Sequence, residues 1–319
     1  MRRRDILWFG LGAAALIGAG RSWRAFSADL EAARARTLGR SRIVASRYGA
    51  LEVAEAGDGP PVLMIHGTGG GFDQGLAMSG PLRESRRVIA PSRFGYLRSA
   101  FPADPSSDNQ ADAFADLLDA LGVDKAAIIG GSAGALSAMA FAIRHPDRTS
   151  ALVALVPAAY APGRPPVDPP NPLAQAIIEH GLKSDLLFWL GMKVSEDAMI
   201  ASLLATDPAR VRAASAAEQA RVRAVLRDIL PVSLRAEGLK NDARLAYTPA
   251  PMPIERITAP TLALSLEDDR FQTLAAARHI AATVPGAELV SFQSGGHIWA
   301  GRNAEVFAAV EGFLARHRA

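Results

Sequence analysis

The sequence predicts an α/β fold with a mostly parallel central sheet, helices on both faces and a helical cap inserted between two strands. Three observations predict it. Short apolar runs without polar alternation, such as "VLMIHG" at 62–67, suit strands buried on both faces. These runs alternate along the chain with helical patterns, as in a parallel sheet joined by crossover helices. Across residues 157–253 the strand signals vanish, and that stretch is far too long for an ordinary connection.

Taken in order, the chain opens on "MRRRDILWFGLGAAALIGAGRSWR", in which arginines flank an uncharged run at residues 6–20. That length suits a signal h-region and falls short of the roughly 20 residues of an ordinary spanning helix. "RRDILW" is also similar to the twin-arginine export pattern. Residues 1–40 are therefore expected as signal or anchor plus linker. The protein would be exported or attached to a membrane through residues 6–20, a cytoplasmic protein being the alternative. No clean A-x-A cleavage site is present.

Residues 41–156 form the expected first part of the core. Two alternating runs around Tyr48-Gly49 signal a hairpin. "VLMIHG" and "RRVIAPS" follow as buried strands. Asp108 and Asn109 are expected to cap a helix through "QADAFADLLDAL", with Gly122 just past its end. "KAAIIG", a helix from Ala133 to Arg144, and "ALVALV" continue the alternation. Residues 157–253 are the expected cap. A proline-rich linker leads into helical material, including "DPARVRAASAAEQARVRAVLRDIL", where Asp207 caps and Pro208 takes the first turn. Phe188 and Trp189 are expected to pack inside it. "RAEGLKND" at 235–242 is expected as a capped turn rather than a substrate contact. Residues 254–319 return to the core with "TLALSL", a helix around "TLAAARHIAATV", "AELVSF" and a last helix from about Ala304 to Arg316.

Composition narrows the function. Half the residues are apolar, and cysteine is absent, which removes disulfides and thiolate chemistry. Residues 1–42 hold nine of the 35 basic residues and three of the 32 acidic ones, leaving 26 basic against 29 acidic. A folded part that is slightly acidic argues against a nucleic-acid partner. A small-molecule substrate remains, with oligomeric state open.

The chemistry concentrates at "AAIIGGSAGALSAMAF", residues 126–141. Gly130-Gly131-Ser132-Ala133-Gly134 fits G-x-S-x-G between a buried strand and a helix, a turn that lifts the central hydroxyl clear of the sheet. Residues two before and two after must be small where strand and helix come close. The helix N-terminus adds unpaired N–H groups and positive potential beside the serine. A glycine-rich turn with an incidental serine, or a phosphate loop, would be the alternatives; no lysine follows as a P-loop requires.

A serine hydroxyl needs a base. Of the six histidines, His297 alone lies in a glycine-rich loop after the last strand, in "SFQSGGHIWA". His145 is expected to cap or pack, His180 lies in the cap, His279 within a helix and His317 at the tail. The imidazole needs an orienting carboxylate, and Glu267, Asp268 and Asp269 all follow a buried strand. Oxyanion donors are expected from the loop "IHGTGGGFDQG", with the N–H groups of Thr68 and Ala133 as the pair. His66 is expected to be structural, bonded to loop backbone.

Together these residues resemble the α/β-hydrolase superfamily, in its serine-nucleophile branch with an HG-x oxyanion loop and a cap. The resemblance runs from about Ile43 to the C-terminus and includes "SRFGYLRS" at 92–99. It implies an α/β-hydrolase fold and a triad in the order Ser132, acid, His297. It places the acid on Asp269, which stands before Arg270, with Asp268 second. The sequence departs in having Leu266 where the family's glycine commonly falls and "FQT" in place of Val-Pro. A serine nucleophile also sets the chain apart from the dehalogenases and epoxide hydrolases of this fold, which use aspartate. Hydrolysis of a small, apolar ester-type substrate through an acyl-enzyme is the leading expectation, with no metal or organic cofactor. C–C bond hydrolysis or perhydrolysis on the same fold is the alternative within catalysis. A non-catalytic binding protein that keeps the fold is the alternative outside it.

Overall fold

The computed structural model describes residues 3–164, 181 and 183–318, with residues 3–19 as backbone alone. His180 and part of the proline-rich stretch, 165–172, lie outside the described residues. Among the described residues, eight strands form one sheet in the order β1-β2-β4-β3-β5-β6-β7-β8. The strands are β1 (Arg42–Ser46), β2 (Gly49–Ala56), β3 (Pro61–Ile65), β4 (Arg87–Pro91), β5 (Ala126–Gly131), β6 (Thr149–Leu155), β7 (Thr261–Leu266) and β8 (Glu288–Phe292). β1 and β2 make the antiparallel hairpin, and β2 runs antiparallel to β4. Every pairing from β4 through β3, β5, β6 and β7 to β8 is parallel.

The continuous apolar runs are explained by two covered faces. Leu63 and Ile65 of β3 join one core with helices α3 (Ser107–Ala120), α4 (Gly134–Arg144) and α10 (Thr273–Thr283). Val62 and Met64, one residue out of phase, join the opposite core with Val306, Phe307, Val310 and Phe313 of α11 (Asn303–Arg316). A period of two along each strand sends alternate side chains to opposite faces, so both must be apolar.

Between β6 and β7 the described residues carry helices only: α5 (Asp185–Val194), α6 (Glu196–Leu203), α7 (Pro208–Ala213), α8 (Ala216–Arg227) and α9 (Ala236–Ala246). They share a core of their own, which includes Phe188, Trp189, Val222, Leu226 and Leu230. One local expectation is corrected: α3 is capped by Ser106, whose Oγ accepts from Asn109 N–H, and not by Asp108 or Asn109, which lie in its first turn. The helical material from Pro208 is two helices, parted at Ala214. There Ser215 starts a second helix by accepting from Glu218 N–H, the S-x-x-E pattern of a capping box. Asp207 does cap α7 and accepts from Ala209 N–H at 2.9 Å.

The N-terminus departs furthest from expectation. Helix α1 runs unbroken through Arg3–Thr37. Its second half is no free linker: Phe26 and Ala33 are buried in the core of the cap, with Leu30 packed against it. Positions 26, 30, 33 and 37 recur at helical spacing, so one face docks while Arg24, Glu31 and Arg34 stay exposed. Trp189 Nε1 donates to Asp29 Oδ2 at 2.7 Å, tying α5 to α1. Among the described residues no helix is long and apolar enough to cross a membrane.

Candidate active site

Ser132 stands where β5 turns into α4, and its backbone is forced. Its φ is 51°, a left-handed conformation that costs a non-glycine residue about 1–3 kcal/mol. The strain is held by the surroundings: Ser132 N–H donates to Leu155 O at 2.8 Å, and Ser132 O accepts from Ala158 N–H at 3.2 Å. The flanking glycines are required by contact. A Cβ on Gly130 would lie 2.7 Å from Ala135 Cα, and one on Gly134 would lie 2.4 Å from His66 O. Neither fits, so the helix can leave the strand at this angle only past bare backbone. The turn leaves Ser132 half-buried between two buried neighbours.

His297 meets it. The Ser132 hydroxyl and His297 Nε2 are 2.9 Å apart, and Nδ1 of the same ring is 2.9 Å from Asp269 Oδ2. With Nδ1–H donating to the carboxylate, Nε2 is free to accept the serine proton, which is the tautomer a general base needs. Phe271 presses edge-on against the imidazole at 4.9 Å between ring centroids. Residues 132, 269 and 297 are thus brought together from three strand ends on one rim of the sheet.

The two aspartates after β7 do different things. The Asp269 side chain is fully buried. Its Oδ1 accepts from Phe271 N–H at 2.9 Å, and Oδ2 accepts from the Thr273 hydroxyl as well as from His297. Burial alone would raise its pKa. The His297 charge, then the bonds from His297, Thr273 and Phe271, outweigh burial and hold the carboxyl below its ordinary value. Asp268 points the other way, accepting from Gly295 N–H at 3.1 Å and Gly296 N–H at 2.8 Å. It clips the loop that carries His297 without touching the ring. Glu267 is exposed.

On the other side of Ser132 lies the loop after β3. A Cβ on Gly67 would lie 3.2 Å from Ser132 Cβ, so bare backbone passes directly over the serine. Among the described residues, neither Thr68 N–H nor Ala133 N–H donates to a protein acceptor. His66 is wholly buried beneath this loop. Its Nδ1 donates to Gly67 O at 2.7 Å, and its Nε2 accepts from Arg93 N–H at 2.9 Å. Burial, then the Arg93 charge, push its pKa well below the usual value, so it is neutral and structural.

The remaining histidines stand apart from the serine. His145 ends α4 and bonds Asp112 at 2.9 Å. His279 lies 3.3 Å from the Thr283 hydroxyl, and His317 lies 3.6 Å from Glu288.

The segment 235–242 is not a turn. It opens helix α9, and Arg235 and Asp242 are buried in ion pairs, whereas Glu237 and Lys240 form an exposed pair with each other. Arg93 binds both carboxylate oxygens of Asp242, at 2.7 and 2.5 Å, and the Tyr96 hydroxyl donates to Asp242 at 2.5 Å. Burial, then the neighbouring carboxylate, push the Tyr96 pKa far up, so the phenol keeps that proton. Its oxygen also accepts from Gly69 N–H at 3.2 Å. Arg235, fully buried, pairs with Asp73 at 2.8 Å. Breaking a buried pair from one side typically costs about 3–5 kcal/mol. No local pattern reveals these pairs, because the partners of Arg235 and Asp242 lie 162 and 149 positions away.

Known proteins give the same frame. The profile of the alpha/beta hydrolase fold family matches residues 60–299. A 2-hydroxymuconate semialdehyde hydrolase of Pseudomonas putida is 40% identical over 120 residues, which is 36% of this chain and 42% of that protein. The chain thus spans less than half the length of that relative. A 2-hydroxy-6-oxononadienedioate/2-hydroxy-6-oxononatrienedioate hydrolase of Comamonas testosteroni is 27% identical over 267 residues, covering 78% of this chain and 85% of the other. Among solved structures, an alpha/beta hydrolase fold protein from Nakamurella multipartita superimposes with a TM-score of 0.68 at 27% identity. It covers 88% of this chain and all of that one.

Proposed function

The chain belongs to the alpha/beta hydrolase fold family, and from that premise we propose that it is a serine hydrolase of small, apolar ester-type substrates. Ser132 is the nucleophile, His297 the base and Asp269 the orienting acid. One observation carries the proposal: a single imidazole lies 2.9 Å from the hydroxyl on one side and 2.9 Å from a buried carboxylate on the other.

In the proposed cycle Ser132 Oγ attacks the acyl carbon as its proton passes to His297 Nε2. The carbonyl oxygen takes the electron pair and is met by the N–H groups of Thr68 and Ala133. Collapse expels the alcohol, which leaves with the proton from His297. Water, deprotonated by the same ring, then releases the acid and restores the serine. Asp269, kept ionised by its bonds, supports the imidazolium in both halves.

A second reading is favoured by the relatives. The Pseudomonas and Comamonas proteins are named as hydrolases of a hydroxymuconate semialdehyde and of hydroxy-oxo-nonadienedioate or -nonatrienedioate compounds, carbonyl compounds for which C–C cleavage beside the carbonyl is the alternative proposed for this chain. The same serine, base and oxyanion donors would serve that reaction. The test is one experiment: p-nitrophenyl esters of graded chain length assayed beside a vinylogous diketone, together with fluorophosphonate labelling. Labelling and ester turnover should both vanish in Ser132→Ala. Diketone cleavage that outruns every ester would move the assignment to C–C hydrolysis, and a folded wild type that never labels would overturn the serine mechanism. Export or membrane attachment through residues 6–20 belongs to the same proposal. Fractionation should place the full chain outside the cytoplasm or with membranes.

A further inference from the structure

The loop that would supply Thr68 N–H is rich in glycine and soft by itself, with Gly67, Gly69, Gly70 and Gly71 in five positions. Beside the bonds that His66, Gln74 and Tyr96 make to Gly67 and Gly69, it is held from two distant parts of the chain. Arg235, at the foot of the cap, donates through Nη1 to Gly70 O and, at 3.2 Å, to Asp73 Oδ1, and through Nη2 to Asp73 Oδ2 at 2.8 Å. Arg36, near the end of α1, donates through Nε to the same Asp73 Oδ2 at 3.2 Å. The two guanidiniums also share one acceptor in the cap. Asp228 O takes Arg36 Nη2 at 2.9 Å and Arg235 Nη2 at 3.1 Å, and Leu230 O takes Arg36 Nη2 at 2.6 Å. Between these two carbonyls, Ile229 comes within about 3.4 Å of the space a Cβ on Gly69 would fill.

The result is a closed ring of charge-assisted bonds: α1, the cap, and the junction of the glycine loop with the short helix Phe72–Met78 that carries Asp73 each contribute one corner. The Asp73 carboxylate is almost fully buried. Burial would raise its pKa, but Arg235 and then Arg36 hold it below the ordinary value, so it is charged throughout neutral pH. A carboxylate that must satisfy two forked guanidiniums has few positions open to it. Its neighbours Gly70 and Gly71 are fixed with it. The helix bringing Arg36 is the same one that carries the uncharged run at residues 6–20.

We propose that Arg36 and Arg235 are positioning residues which hold the Gly67–Gly71 loop in its oxyanion-binding form. Helix α1 is then a working part of the site and more than an address or tether. The inference rests on the serine-hydrolase reading given above and extends it.

The test uses the full-length chain. Arg36→Met should lower kcat for a p-nitrophenyl ester about tenfold, as loosening rather than removing a donor implies, with KM unchanged within about twofold. Affinity for an alkylboronic acid, whose serine adduct is tetrahedral, should fall by the same factor. Arg36→Lys keeps the charge but not the fork and should fall between the two. Arg34→Met, an exposed arginine half a turn away, should behave as wild type. If Arg235→Met fails to fold, the Arg36 variants still decide. A melting temperature that drops in Arg36→Met while kcat and boronate affinity stay at wild-type values overturns the proposal and leaves the hydrolase reading intact. A wild type that neither labels nor turns over overturns both.

Discussion

Exchanging each of the two neighbouring aspartates for asparagine separates their roles. In Asp269→Asn the position now held by Oδ2 would carry either an amide oxygen or an amide NH2. The Thr273 hydroxyl and Phe271 N–H both donate to this side chain, and the amide has only one oxygen to offer them. An NH2 turned toward His297 donates to Nδ1 and drives the ring proton to Nε2, which faces Ser132 at 2.9 Å. A protonated Nε2 cannot accept the serine proton, and a wrong tautomer of this kind costs about four decades in kcat. At about 1.36 kcal/mol per decade that is roughly 5.4 kcal/mol of transition-state stabilisation. Asp268→Asn is milder. Gly295 and Gly296 N–H bind its two separate oxygens, so the amide keeps one of these bonds without charge assistance and loses the other. That is about 3 kcal/mol, or a factor of about 160 even if all of it reached the transition state. Both variants are assayed for p-nitrophenyl butyrate turnover beside a thermal melt. A larger kcat loss in Asp268→Asn than in Asp269→Asn, with both proteins folded, would refute the division of roles.

Other outcomes follow from packing and from charge. Gly134→Val forces a branched Cβ to 2.4 Å from His66 O and should abolish soluble expression or lower the melting temperature sharply. Gly312→Ala in α11, where the nearest atom would be the Arg316 guanidinium at 3.7 Å, should gain about 0.5–1 kcal/mol. Stability should fall with acid in two stages, followed by equilibrium denaturation across pH. His66 has a folded pKa well below its unfolded value, near 6.5, so the unfolded chain binds the extra proton. Its contribution is complete above that value and is lost as pH falls below it. Asp73 and Asp269 are depressed in the same sense, and their contributions are present above an unfolded value of about 4 and lost as pH falls below it. A single stage near pH 4 would show that His66 is accessible to protons in the folded protein.

Much of this architecture is local information. The strands of the sheet are readable because a strand covered on both faces needs apolar residues at every position, and "VLMIHG" or "TLALSL" has no other use in a folded chain. The elbow at Ser132 is readable for a similar reason: Gly130 and Gly134 are dictated by contacts within a few residues of the turn and with the strand beside it. The chain order of serine, acid and histidine follows from the order of strand ends along the sheet.

The tertiary structure decided what depends on direction and distance. Asp268 and Asp269 are chemically alike and adjacent, so composition does not say which faces the histidine. The turn after β7 aims one at His297 Nδ1 and the other at the amides of Gly295 and Gly296. Residues 235–242 look like solvated turn material because Arg235 and Asp242 find partners only when the cap folds back, Arg235 on Asp73 and Asp242 on Arg93. The second half of α1 carried a readable signal in the spacing of Phe26, Leu30, Ala33 and Thr37. A helical stripe shows that a helix will bury one face, and it does not say against what. Periodicity is a property of neighbours along the chain, whereas an ion pair across 162 positions exists only after the backbone has brought its ends together.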